Sequence, residues 1–205
     1  MNRTERRAQL SALHRRMRRC RKCLALGQTI TPPAIFTGDL GAQIMLVGQA
    51  PGIHELTAGR PFHAQSGTRL FQWLAEAGFQ EATFRATQYM TSVTKCFPGK
   101  APSGAGDRKP TAGEIGACLP FLQAQVSLID PRLVIPVGRL AIDVFFPDRP
   151  ALEAVVGTRR KLDGRVYIPL PHPSGASRWH QSERNRARIT RAIGLLRLER
   201  KRLGL

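Results

Sequence analysis

The sequence predicts an α/β fold, a three-layer sandwich whose central, mainly parallel four-stranded sheet is flanked by helices. Three observations lead there. Four short apolar runs, over residues 43–47, 89–94, 133–137 and 166–170, have the length and composition of buried strands. Helical patterns lie between them, and strands alternating with helices imply parallel pairing with both faces covered. The runs also end in chemically loaded turns, Gly48-Gln-Ala-Pro-Gly52 first among them. Ligands in open α/β sheets sit at the carboxyl ends of parallel strands, so these turns are expected to meet at one pocket.

In chain order, residues 3–22 carry Leu10, Leu13 and Met17 at helical spacing among many arginines, which predicts an amphipathic helix with a basic outer face. Cys20-Arg-Lys-Cys23 follows, and the first strand begins after the Gly38–Gly41 turn. Residues 53–58 read as a polar loop. Ser66 is expected to cap a helix with Leu70, Phe71, Leu74 and Ala77 on one face, closed by Gly78. The second strand runs into Lys95-Cys96, and residues 97–110 read as a flexible basic loop.

Thr111 and Glu114 form a capping box for a helix with Ile115, Cys118, Leu122, Val126 and Ile129 inward, which Pro120 is expected to kink or divide. The third strand turns at Gly138 into a short helix, and the fourth ends in Pro171-His-Pro-Ser-Gly175. From about Ser182 a last helix turns Ile189, Ile193, Leu196 and Leu203 inward and arginines outward.

Composition narrows the class. The 205 residues suit one domain with a sizeable core, read as residues 1–205 with basic helices at each end, and 42% hydrophobic content is ordinary for a globular protein. No apolar run looks long enough to span a membrane. The arginine-rich start lacks the apolar region of a secretory signal and is read as part of the mature domain. A net charge of +18 calls for a polyanionic partner, nucleic acid first. A cytoplasmic, nucleoid-associated monomer is expected.

Four cysteines in such a chain favour metal ligation over disulfides. Cys20 and Cys23 bring two thiolates to one centre, with Cys96 past a strand and Cys118 one turn into a capped helix. Four thiolates suit tetrahedral zinc or an iron–sulfur cluster, and composition does not choose between them. With every ligand a thiolate, the role looks structural.

Together these motifs resemble the uracil-DNA glycosylase superfamily, most closely its iron–sulfur branch, family 4. The resemblance rests on Cys20-x-x-Cys23, Gly48-Gln-Ala-Pro-Gly52, Gly59-Arg-Pro-Phe62 with Ser66-Gly67, and Thr91-Ser-Val-Thr-Lys-Cys96. It continues through Pro110-Thr111 with Glu114, Cys118-x-Pro-Phe-Leu122 and His172-Pro-Ser174. It implies a [4Fe–4S] cluster on Cys20, Cys23, Cys96 and Cys118, with zinc the lesser alternative. It also implies a repair glycosylase that flips uracil, or a related deaminated base, out of DNA and hydrolyses its N-glycosidic bond.

In that picture Phe62 stacks on the base, and the backbone from Gly48 through Ala50 and Pro51 to Gly52 approaches it. His172 donates to the 2-carbonyl of the departing uracil anion, and Ser174 sits beside it. Ser177 and Arg178 lie on the loop that enters the duplex, with Arg178 or Trp179 as the wedge, Trp179 packed beneath the final helix as the alternative, and Ser174 and Ser177 on phosphates.

Two departures from the family pattern stand out. Gln49 replaces an acidic residue; its amide can position water or contact the base but cannot act as a general base, which leaves Glu55 as the nearby acid. Ser92 replaces an asparagine that reads the base edge, so base selectivity is open. The same departures support the alternative of a catalytically weak or silent iron–sulfur protein that binds DNA lesions.

Overall fold

The computed structural model describes residues 2–63, 65–104, 106–174 and 179–205. Its sheet is built from β1 (Ile44–Gly48), β2 (Tyr89–Ser92), β3 (Leu133–Pro136), β4 (Arg160–Leu162) and β5 (Arg165–Tyr167). The order is β2-β1-β3-β5-β4, parallel throughout except for β4, which pairs antiparallel with β5. The sheet therefore has five strands where four are expected. β4 is only three residues long and largely exposed, so the apolar signal that marks a buried strand is missing from it. Asp163 and Gly164, both at positive φ, turn it into β5.

β1 is buried along its whole length, as its unbroken apolar run requires. The chain leaves it for β2 on one side and returns to β3 on the other. Its carboxyl end is thus the point where the strand order switches, the usual crevice of an open α/β sheet. Register brings Gly48 beside Ser92 and Val47 beside Pro136, and a bridge from Val137 to Leu170 carries the sheet on to the turn holding His172.

Helix α1 (Arg3–Arg18) buries Leu10, Leu13 and Met17, and Asn2 and Glu5 close a capping box at its start. It stops short of Cys20, and α2 (Lys22–Ala25) follows with Cys23 buried. Residues 53–58 are a helix, α3 (Ile53–Ala58), rather than a loop. Its turn and a half is too short to carry an apolar period. The Glu55 carboxylate accepts from the Gly52 amide at its start, and Gly59 ends it at φ 65°.

α4 (Gln65–Glu76) turns Leu70, Phe71 and Leu74 inward as expected, but Ser66 lies inside its first turn and does not cap it. α5 (Glu81–Thr87) carries no sequence signal beyond Phe84. α6 (Ala112–Ile129) begins with the Thr111–Glu114 capping box and runs unbroken through Pro120. Its Ile115 and Val126 are only half-buried.

Among the described residues α6 alone is long and apolar enough to cross a membrane by length and composition, which the sequence reading did not signal. It packs here against α1 and α2 and buries Cys118, Phe121, Leu122 and Ile129. α7 (Arg139–Phe145), α8 (Leu152–Val155) and α9 (Glu183–Arg202) complete the layers; α9 turns Ile189, Ile193 and Leu196 into the core.

Candidate active site

One cavity of about 360 Å³ opens at the carboxyl ends of the central strands. Gly48, Gln49, Ala50, Pro51 and Gly52 form one wall after β1. Phe62 comes from the turn between α3 and α4, Ser92 from the end of β2, and His172 and Ser174 from the segment after β5. The expected turns therefore do meet. His54 and Glu55 of α3 and Ser66 of α4 also line the cavity.

Phe62 lies across the end of β1, where a Cβ on Gly48 would stand 3.0 Å from its ring. A side chain at 48 would press on the ring and shift it. His172 rests on Gly138, at φ 84°, where an added Cβ would meet the imidazole at 3.1 Å. The Ser174 amide donates to His172 Nδ1 at 3.3 Å, so a neutral ring carries its proton on Nε2. Burial holds the His172 pKa below its ordinary value, against the opposing pull of Glu55.

Ser92 is committed. Its hydroxyl donates to the Thr94 carbonyl at 2.6 Å, which leaves its oxygen free only to accept. Glu55 is buried and accepts from the Gly52 amide at 2.9 Å and the His63 amide at 3.3 Å.

The cavity also contains a carboxylate that the motifs miss. Asp107 lies in the segment expected to be a basic loop, where Lys100 pairs antiparallel with it and Arg108 donates its amide to the Gly99 carbonyl at 3.0 Å. Its Oδ2 accepts from the Ile53 amide at 3.3 Å. A Cβ on Gly52 would stand 2.7 Å from Glu55 Oε2 and 2.8 Å from Asp107 Oδ2, so two carboxylates face the same turn. Composition hides this, because Asp107 is the one acid among glycines and cations.

A second, small cavity is lined by Cys20, Cys23, Cys96 and Cys118 with Met17, Ile30, Ala34 and Phe121. Burial pushes the Cys96 thiol up to about 12, and the neighbouring cysteines add to it. Lys95, fully buried beside them, is pushed down to about 8 by burial, and its ammonium donates to the Ser92 carbonyl. Held as thiolates, these four sulfurs would need a cationic partner. Among the described residues no three potential ligands are grouped closely enough to hold a single ion.

Ser177 and Arg178 lie outside the described residues. Trp179 does not stand free as a wedge: its indole donates to Glu153, and its backbone carbonyl accepts from Asn185 at 2.8 Å.

Comparison with known proteins agrees with this geometry. A sequence model of the uracil DNA glycosylase superfamily matches residues 35–196, from before β1 to within α9. The chain is 32% identical over 174 residues to the type-4 uracil-DNA glycosylase of Thermotoga maritima, covering 83% of this chain and 84% of that one. The type-4 enzyme of Pyrobaculum aerophilum is 33% identical over 157 residues, 77% and 71% of the two chains. The type-5 enzyme of Thermus thermophilus is 31% identical over 184 residues, 81% and 78%. With the fold, the crevice and most of the chain matched, the protein belongs to the uracil DNA glycosylase superfamily.

Proposed function

We propose that the protein is a monofunctional DNA repair glycosylase that flips uracil, or a related deaminated base, out of DNA and hydrolyses its N-glycosidic bond. It leaves an abasic site for base excision repair. The observation that carries this reading is the convergence of Phe62, Ser92, His172 and the Gly48–Gly52 backbone on one base-sized cavity. Those residues come from one chain, which supports action as a monomer, and the charge of +18 suits a nucleoid-bound protein.

The chemistry divides among these groups. Phe62 offers an aromatic face to the extruded base. As the bond between C1′ and N1 breaks, its electron pair leaves with the base and charge collects on the uracil oxygens. The Nε2–H of neutral His172 is the donor for that charge. The sugar becomes cation-like, and Glu55 places negative charge on the side of Gly52, where the nearby Asp107 is paired with Lys100 at 3.0 Å. Water adds to C1′ and its proton goes to solvent or the base. Gln49 orients this water, and a cation-like sugar does not require a strong base.

Ser92 bears on selectivity. Deamination turns a ring nitrogen of cytosine or adenine from acceptor into an N–H donor, and an acceptor-only hydroxyl matches that N–H. This supports recognition of uracil with tolerance for hypoxanthine.

The cysteine cavity fits a [4Fe–4S] cluster on Cys20, Cys23, Cys96 and Cys118. Each thiolate of a cluster binds its own iron, so the sulfurs need not converge on one ion as zinc demands. Such a cluster would join α1, α2, α6 and the end of β2 without taking part in the reaction.

The test is single-turnover cleavage of labelled oligonucleotides carrying uracil, hypoxanthine, xanthine or a thymine mismatch, with excess protein and alkaline work-up. Breaks at uracil, and more slowly at hypoxanthine, are expected. Tight binding with no breaks at any base would overturn the glycosylase and leave a lesion-binding protein.

A further inference from the structure

Phe62 holds a backbone conformation that a bulky side chain avoids, with φ at 53°. Such strain persists only where the surroundings over-determine it. Here the surroundings can be named. Arg85 of α5 reaches the strained turn with both ends of its guanidinium: Nη1 donates to the Pro61 carbonyl at 2.9 Å and Nη2 to the Phe62 carbonyl at 2.6 Å. The same plane stacks on Phe71, 4.2 Å from the ring centre, and Nε donates to Glu81 at 2.7 Å.

A Cβ on Gly67 would lie 2.0 Å from the Phe62 carbonyl oxygen, so the first turn of α4 abuts the same peptide. Glu55 holds the next amide, that of His63. The Phe62 carbonyl is thus fixed on several sides, and the ring is thrown forward over Gly48.

We infer that Arg85 is a positioning residue for the base-stacking platform: its two-pronged grip on the Pro61 and Phe62 carbonyls holds Phe62 left-handed and its ring across the pocket. This rests on the reading of Phe62 as the surface on which the flipped base stacks. A planar fork suits the task because two carbonyls must be held at once and at a fixed angle, which an ammonium does not do. α5 contributes no residue to the cavity beside Gly48, and this gives it a function.

A double-mutant cycle of Arg85→Gln and Phe62→Ala tests the inference, read as single-turnover excision of uracil from duplex DNA, with thermal unfolding of each protein alongside. Loss of stacking sets the expected slowing at roughly ten-fold or more for either single variant. If Arg85 acts through Phe62, the double variant is no slower than Phe62→Ala alone. Losses that multiply would overturn the inference while leaving the stacking role of Phe62 intact. An unchanged rate in Phe62→Ala would instead remove the stacking reading, and the inference with it. Arg85→Lys keeps the charge over Phe71 and loses the fork; it is expected to unfold near the wild-type temperature yet excise slowly. Should Arg85→Gln fail to fold, the same cycle is read with Arg85→Lys.

Discussion

The proton on His172 is placed by its neighbours. The Ser174 amide occupies Nδ1, burial disfavours the imidazolium, and Gly138 lets the ring lie flat against the chain. A group with a depressed pKa stays neutral above its ordinary value near 6.5, so no titration of His172 falls in the neutral range. The single-turnover rate should therefore be flat from about pH 6.5 to 8. A rate falling with pH across that range would mean that the charged ring is the donor. His172→Ala should slow excision by about 10²–10³-fold, the usual loss for one donor to a developing oxyanion, while duplex affinity holds. Quenched-flow excision and fluorescence anisotropy check the two halves.

Among the elements, α1 and α6 are joined to the pocket by buried polar contacts. His14 of α1 meets the Tyr89 hydroxyl at 2.7 Å, Gln125 of α6 donates to the same hydroxyl at 2.8 Å, and Thr91 donates to Gln125 at 3.2 Å. With Gln125 donating, the Tyr89 proton points at His14, which accepts as a neutral ring. Burial first, then Arg18, lowers the His14 pKa. At the start of α6, Glu114 is fully buried and takes both nitrogens of Arg108, at 2.5 and 2.9 Å, which hold its carboxyl below the usual range.

Both folded-state values are depressed, so the unfolded chain binds more protons and stability falls on acidification. The loss should begin below about pH 6.5 through His14 and deepen below about pH 4.5 through Glu114. Buried His172 adds to the same upper phase, so His14→Gln should shrink that phase and keep the lower one, as urea unfolding at stepped pH would reveal. Glu114→Gln takes away the charge that Arg108 pairs with, and should lower stability at neutral pH and remove the phase below about pH 4.5.

For the whole molecule, charge sets the terms. A surplus of 18 positive charges over 205 residues makes DNA affinity largely a matter of counterion release. Between about 50 and 200 mM salt, binding to undamaged duplex should weaken by roughly a hundred-fold or more. A salt-independent affinity would point away from phosphate contact. If the four thiols hold a cluster, the purified protein is brown and carries iron and sulfide in equal amounts; a colourless protein with stoichiometric zinc would overturn that assignment. Cys118→Ser should lower the unfolding temperature and bleach the colour, because α6 and the N-terminal helices lose their shared anchor.

The sequence by itself determined the parallel sheet, the buried faces of α1, α4 and α9, and the motifs that reach the pocket. Apolar period and turn chemistry are local signals, written within a few residues of where they act. Tertiary structure alone decided the rest. β4 and α3 are too short to carry a period, and α5 offers only Phe84. Asp107 joins Glu55 at Gly52 because a folded-back segment lays it there, and no spacing in the chain encodes that approach. The left-handed Phe62 and the grip of Arg85 depend on carbonyls 23 and 24 residues away from the guanidinium. Local patterns specify elements; the donor, the charge and the strain that make a site arise where distant residues are packed into one space.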